Sequence, residues 1–126
     1  MGVPSDRRYL KSHEWHKVDG DVVTIGITKF AADELTDITY VSLPAIGKPV
    51  IAGKAFGEIE SVKATSDLIS GVSGTVTAVN TKLGDSPELV NSDAFETGWM
   101  IKVKASDPGQ VSSLLSAEQY ESQLGA

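Results

Sequence analysis

At 126 residues, with 40% hydrophobic and 22% charged side chains, the chain is long enough for one hydrophobic core and has the composition of an ordinary globular protein. Its net charge of −6 argues against a nucleic-acid-binding face, which needs excess Lys and Arg, and the absence of cysteine removes disulfides, thiolate metal sites and thiol nucleophiles. No run approaches the roughly 20 apolar residues of a membrane span, and "MGVPSDRRYLKSHEW" has no apolar targeting stretch, so a cytoplasmic protein is expected.

Along the chain, "VDGDV" separates two alternating segments, and Asp19-Gly20 predicts a hairpin with a type I′ turn. Beyond it, Val23, Ile25 and Ile27 share one face of a half-buried strand. Thr28 is placed to cap a short helix carrying Phe30, Ala31, Ala32 and Leu35. "ITYVSLP" reads as a strand ended by Pro44, because proline cannot donate to a sheet ladder. From Ile46 to Asn91, short apolar runs punctuated by glycine form two rough halves on either side of Lys63, with Gly53 and Gly84 each in a turn. "GWMIKVKA" predicts a last strand with Trp99, Ile101 and Val103 facing inward and Met100, Lys102 and Lys104 facing out. The tail turns helical from Asp107-Pro108, an N-cap followed by proline, with Gln110 completing a capping box; Ser116 and Gln119 repeat that signal. The whole predicts one mainly β domain over 1–126, a barrel or sandwich with short peripheral helices and a helical extension at about 107–124.

Most routes to catalysis are missing. Neither a Walker loop nor a Gly-x-Ser-x-Gly elbow is present, and there are two histidines. His13, Glu14 and His16 in "SHEWHK" do not make a metal set: the zinc-protease pattern needs histidines four apart on a helix, and in a strand positions 13 and 16 diverge. Glu14, Glu58, Glu60 and Asp67 read as the exposed faces of strands. Lys63 differs. It stands between Val62 and Ala64, with Gly53 ten residues before it and Gly74 eleven after, so two strands can meet at a tight tip that presents its amine. A lysine to be acylated must be exposed and free of fixed neighbouring charge, which makes Lys63 a candidate attachment site for a prosthetic arm.

In order along the chain, "SHEW", "GITKFAADELTDITYVSLPAIG", "FGEIESVKATSDLISGVSGTVTAVN", "SPELVN" and "GWMIKVK" resemble the H proteins of the glycine cleavage system, from about Tyr9 to Tyr120. "ESVKA" is the most specific element. The resemblance implies a hybrid barrel–sandwich fold of the biotinyl/lipoyl-carrier type, with lipoic acid in amide linkage to Lys63. It implies a non-catalytic shuttle. Glycine decarboxylase (the P-protein, with pyridoxal phosphate) places an aminomethyl group on the arm. An aminomethyltransferase (the T-protein) passes the carbon to tetrahydrofolate, and dihydrolipoyl dehydrogenase (the L-protein) reoxidises the dithiol. A lipoate ligase or an octanoyl or lipoyl transferase loads the lysine. By motif, Ser12, Glu14 and Asp67 fall where the family's cleft for the loaded arm lies.

The chain also departs from that family. Ile69 and Gly71 replace a tyrosine-like or polar residue and a proline, Lys29-Phe30 replaces an acid followed by an aromatic or histidine, and His16 replaces an aliphatic. These changes leave the attachment lysine intact and bear on the shape of the cleft. Biotinyl domains have methionines beside the lysine and lipoyl domains of 2-oxoacid dehydrogenases an acid before it, so Val62 and Ala64 fit neither. A lipoylated relay that passes lipoate to other enzymes and an unmodified binding module on the same fold are the other readings of the sequence.

Overall fold

Among the described residues, 3–125 of a computed structural model, nine short antiparallel strands form two sheets. One sheet runs in the order β1 (Arg8–Tyr9), β2 (Glu14–Asp19), β3 (Val22–Ile27), β9 (Ile101–Ala105), β8 (Gly74–Val79) and β5 (Pro49–Val50). The other contains β4 (Ile38–Ser42), β6 (Ala55–Ser61) and β7 (Thr65–Ile69). The two halves around Lys63 are one long ribbon. Its base is the β5–β8 pair in the first sheet, and its outer part is the β6–β7 pair in the second. Where it changes sheets, Gly53 takes φ +85 and donates its N–H to the Ser70 carbonyl at 2.7 Å, while Ser70 donates to Lys54 O at 3.1 Å. This is the mainly β, hybrid barrel–sandwich arrangement expected from the resemblance.

The core lies between the sheets. Val23, Ile25 and Ile27 of β3 are buried against Ile59, Leu68, Val76, Ile101 and Val103, as the alternation predicts. Burying each such side chain stabilises by about 1.5–3 kcal/mol before chain entropy is counted. A second cluster, Tyr9, Trp15 and Tyr120, covers the opposite face of β2 beneath α4 (Ala117–Gly125). The Trp15 ring lies so close over Gly26 that a Cβ there would sit 2.7 Å from it, and its Nε1 donates to Ala94 O at 3.1 Å.

Burial on both faces explains several departures from the predicted pattern. Met100 is buried and Trp99 only half-buried, the reverse of the expected alternation. The strand begins at Ile101, so Met100 turns into the core while Trp99 packs on the outer cluster. The first hairpin turns one residue later than predicted. Asp19 pairs with Val22, so Gly20-Asp21 is the loop, with positive φ at Gly20 (φ +67), the first central residue, as a type II′ turn requires. Gly84 lies inside the short helix α2 (Lys82–Asp85), which α3 (Leu89–Ser92) follows, and not in a turn.

The helix caps largely follow the sequence. Thr28 caps α1 (Lys29–Leu35) by accepting the Ala31 N–H. Ser116 and Gln119 form a reciprocal capping box before α4 at 2.9 and 3.2 Å. Asp107 caps a 3₁₀ helix, Pro108–Ser113, but Gln110 does not close a box there. Its Oε1 accepts the Ser73 N–H at 2.9 Å, because the crossing ribbon leaves that donor otherwise free.

Candidate functional site

Residues 62–64 form the tip of the β6–β7 hairpin. The tip is held by its own sequence: Ser61 donates its N–H to Ala64 O at 2.8 Å, and its Oγ accepts the N–H groups of both Lys63 and Ala64 at 3.0 Å. Serine in this position satisfies turn donors that the strands leave over. One outside bond, Val62 N–H to Asp37 O at 3.1 Å, ties the tip to the chain just before β4. Val62, Lys63 and Ala64 are all exposed. The Lys63 Nζ donates to the Glu34 carbonyl at 3.3 Å. That carbonyl belongs to the last turn of α1, where carbonyls lack helical partners and the helix dipole is negative, so a lysine ammonium is held there weakly.

Glu34 is also part of the wall of a cleft of about 230 Å³. Four parts of the fold contribute to it: Ser12, His13 and Glu14 at the entry to β2, Ile27 at the end of β3, one side of α1, and the β6–β7 hairpin through Ile59, Ser66, Asp67 and Leu68. The helix contributes Phe30, Ala31, Glu34 and Leu35, as its period dictates. The cleft is therefore apolar in its body with polar groups set around it. A wider groove of about 370 Å³ under the 3₁₀ helix shares none of these residues.

The three residues expected in the cleft do come together there, in unlike settings. Glu14 is 1% exposed, so it is not on the solvent face that its place in an alternating strand predicts. Its Oε1 accepts the Ser12 hydroxyl at 2.5 Å and its Oε2 accepts the Ile69 N–H at 2.8 Å. Burial pushes its carboxyl up to about 7, although both hydrogen bonds favour the ionised form. Asp67 is exposed on the rim. Its register partner is Glu58, so these two carboxylates share the outer face of the second sheet. Ser12 is exposed and serves Glu14.

His16, two residues on and on the same side of β2, is fully buried. Its Nε2 accepts the Gly71 N–H at 2.9 Å, so the neutral ring carries its proton on Nδ1. That Nδ1 is the one buried side-chain polar atom without a partner among the described residues, and burial lowers the ring to about 4. Glu14 and His16 thus grip alternate backbone N–H groups, 69 and 71, of the segment that leaves β7. This joins two of the departures from the family pattern. A proline at 71 has no N–H to give and an aliphatic at 16 cannot accept one, so the bond between His16 and Gly71 needs both departures. Ile69 enters through its backbone, whatever its side chain. Lys29 pairs with Asp33 at 3.1 Å on the outer side of α1, and Phe30 packs its ring against His13 at 5.2 Å.

His13 was not expected in the cleft. It lies at φ +84, its Nδ1 is 2.6 Å from the Tyr120 hydroxyl, and that hydroxyl is 2.8 Å from Thr28 Oγ1. The only sequence signal was its place between Ser12 and Glu14. His13, Glu14 and His16 go to three different partners, and among the described residues no three His, Asp or Glu side chains gather as metal ligands. No described helix is long and apolar enough to cross a membrane.

Comparison with known proteins bears on this geometry. The family model described as glycine cleavage H-protein matches residues 7–126. A "Probable glycine cleavage system H protein" of Natronomonas pharaonis is 55% identical over 97% of this chain and 96% of its own. A glycine cleavage system H protein of Staphylococcus carnosus is 49% identical over 99% of both chains. Among solved structures, the crystal structure of a glycine cleavage system H protein from Mycobacterium marinum superposes with a TM-score of 0.90 at 38% identity, covering 98% of this chain and all of the other.

Proposed function

The chain belongs to the glycine cleavage H-protein family, and from that premise we propose that it is a non-catalytic, single-domain carrier with lipoic acid in amide linkage to Lys63. The observation that carries this reading is the position of the amine: exposed on a self-braced tip, with Nζ against the helix carbonyl of a residue that lines the cleft. Amide formation there removes the charge that holds the side chain to Glu34 O and leaves an arm free to swing out or fold back.

The residues fit such an arm. Ile27, Phe30, Ala31, Leu35, Ile59 and Leu68 give an apolar bed, and Glu14 and Asp67 are acids beside it. When bound, the lipoyl group supplies the dithiol that carries a one-carbon amine and cycles between oxidised and reduced forms. An amine on a carbon that also bears sulfur is labile in water, because the nitrogen lone pair can expel the sulfur. A proton on that nitrogen blocks the route. Glu14 serves this end: each of its oxygens keeps a lone pair beyond the internal bond it accepts, and a docked ammonium draws its carboxyl to the ionised state. Asp67 adds negative charge at the entrance, screened by solvent. Water is excluded by the apolar bed and by Phe30.

In this proposal the chain serves the P-protein glycine decarboxylase, the T-protein aminomethyltransferase and the L-protein dihydrolipoyl dehydrogenase in turn, in the cytoplasm of a microbial cell, the matched relatives being bacterial and archaeal. A tethered arm raises its effective concentration at each docked site. A lipoate ligase or octanoyl transferase loads it. The test is reconstitution: with the decarboxylase, the lipoylated chain supports exchange of the glycine carboxyl with bicarbonate, and Lys63→Ala does not. Exchange by the Lys63→Ala chain equal to the parent's would overturn the reading.

A further inference from the structure

The carrier reading leaves His13 without a task, yet the fold goes to some length to hold it. Its backbone sits at φ +84, where a non-glycine residue is strained, and is pinned from both sides: its N–H donates to Leu10 O at 3.0 Å and its carbonyl accepts the Thr28 N–H at 2.9 Å. Its ring is packed at a tilt against Phe30, with an interplanar angle of 39°, and edge-on to Tyr120. Strain that the surroundings over-determine in this way gathers at functional sites.

A count of protons fixes the state of the ring. Thr28 and Tyr120 are fully buried. Thr28 Oγ1 accepts the Ala31 N–H at 3.3 Å, and its other partner is the Tyr120 hydroxyl at 2.8 Å. The Thr28 proton therefore goes to Tyr120 Oη, since the opposite arrangement leaves a buried hydroxyl proton unpaired. Tyr120 must then give its own proton to His13 Nδ1, 2.6 Å away. The ring is neutral, its affinity for a second proton lowered by burial against the opposing field of Glu34. Its one N–H is on Nε2, the nitrogen left over for the cleft that His13 lines, and no described residue accepts it. Around it the cleft's titratable groups are Glu14 at the start of β2, Glu34 on α1 and Asp67 on β7, all acceptors when ionised.

We propose that His13 is the cleft's hydrogen-bond donor, held as the Nε2–H tautomer by a Thr28–Tyr120–His13 relay that reaches in from the C-terminal helix, and that it donates to a sulfur of the docked arm. This rests on the carrier reading and adds to it a division of labour: acids face the amine end of the cargo and His13 faces the sulfur. It also gives α4 a role beyond packing, since Tyr120 lies 107 residues from His13 in the chain.

The test uses the full lipoylated chain, labelled with 15N for NMR of the imidazole nitrogens, with two variants. Tyr120→Phe removes the relay hydroxyl, and His13→Asn removes the ring while keeping a residue that tolerates positive φ. The parent is expected to show Nδ1 unprotonated and Nε2 protonated at neutral pH, and Tyr120→Phe to show a mixture of tautomers. After loading with glycine and the decarboxylase, loss of one hydrogen bond shortens the lifetime of the loaded arm about fivefold in His13→Asn, and by less in Tyr120→Phe, where part of the population keeps the Nε2–H. An Nδ1–H tautomer in the parent overturns the relay. An Nε2–H tautomer with unchanged lifetimes in both variants overturns the contact with the arm. Absence of a lipoyl adduct would defeat the carrier reading separately, because the tautomer is measurable on the unmodified chain as well.

Discussion

The Lys63 tip and the cleft beside it lie within one side chain's reach and are built by opposite means. The tip is local: Ser61 supplies its turn bonds from two and three residues away, and one bond to Asp37 O anchors it. The cleft draws on β2, β3, α1 and the β6–β7 hairpin, with α4 behind them through Tyr120. Its key acid is buried and its neighbour His16 is buried too, so the cleft is costly to charge, while the tip is exposed to solvent. A carrier needs that contrast. The attachment point must be open to several enzymes, and the shelter must be preformed and rigid.

The largest effect that would break this contrast is in the pH dependence of folding. Glu14 binds its proton more tightly when folded, at about 7, than its ordinary 4.5, so its contribution is full below about 4.5 and is lost as pH rises through 7. His16 binds its proton less tightly when folded, at about 4 against 6.5, so its contribution is full above about 6.5 and is lost as pH falls through 4. Between 4.5 and 6.5 the two slopes have opposite sign and cancel in the parent. Urea unfolding of each variant, compared with the parent over that range, separates them. Glu14→Gln is expected to add a slope of about +1.4 kcal/mol per pH unit, and His16→Val about −1.4 kcal/mol per pH unit. Difference curves that are flat for both variants would mean that the two groups are not buried as described.

His16→Val also sharpens the comparison at one pH. It leaves the buried Gly71 N–H without an acceptor, at a cost of about 1–3 kcal/mol, whereas Lys63→Ala at the tip changes stability by less than about 0.5 kcal/mol. Equal costs at the two sites would erase the distinction between shelter and tip.

The smallest effect lies at the joint between the regions. Thr36 ends α1 at φ +64, a conformation that a β-branched residue adopts only under strain, and the next residue accepts the N–H of Val62. Thr36→Gly is expected to stabilise the protein by about 1 kcal/mol in thermal unfolding, after the glycine's larger unfolded-state entropy is set against the relieved strain. A lower melting temperature would show that Thr36 makes a favourable contact outweighing its backbone.

The same contrast decides what the sequence reveals. The exposed tip at Lys63 is legible because the Ser61 bonds that shape it lie two and three residues away, and the Thr28 cap and the Ser116–Gln119 box are legible because caps are local chemistry. β3 reads correctly because one of its faces is core and the other is not. β2 does not, because Trp15 packs beneath α4 while Glu14 and His16 reach across to residues 69 and 71, so all three are buried and alternation carries no signal. Trp99 and Met100 exchange places for the same reason. Gln110 is drawn from its cap to Ser73 by a donor 37 residues away, and His13 to Tyr120 across nearly the whole chain. Local patterns shape the lysine tip; only tertiary contacts build the cleft beside it.

The central claim is that Lys63 carries the arm, and intact mass spectrometry tests it most directly. The chain produced in a lipoate-competent host is expected to show a single lipoyl adduct, mapped by peptide fragmentation to Lys63 and lost in Lys63→Ala. A wholly unmodified chain from that host, or an adduct that persists in Lys63→Ala, would contradict it.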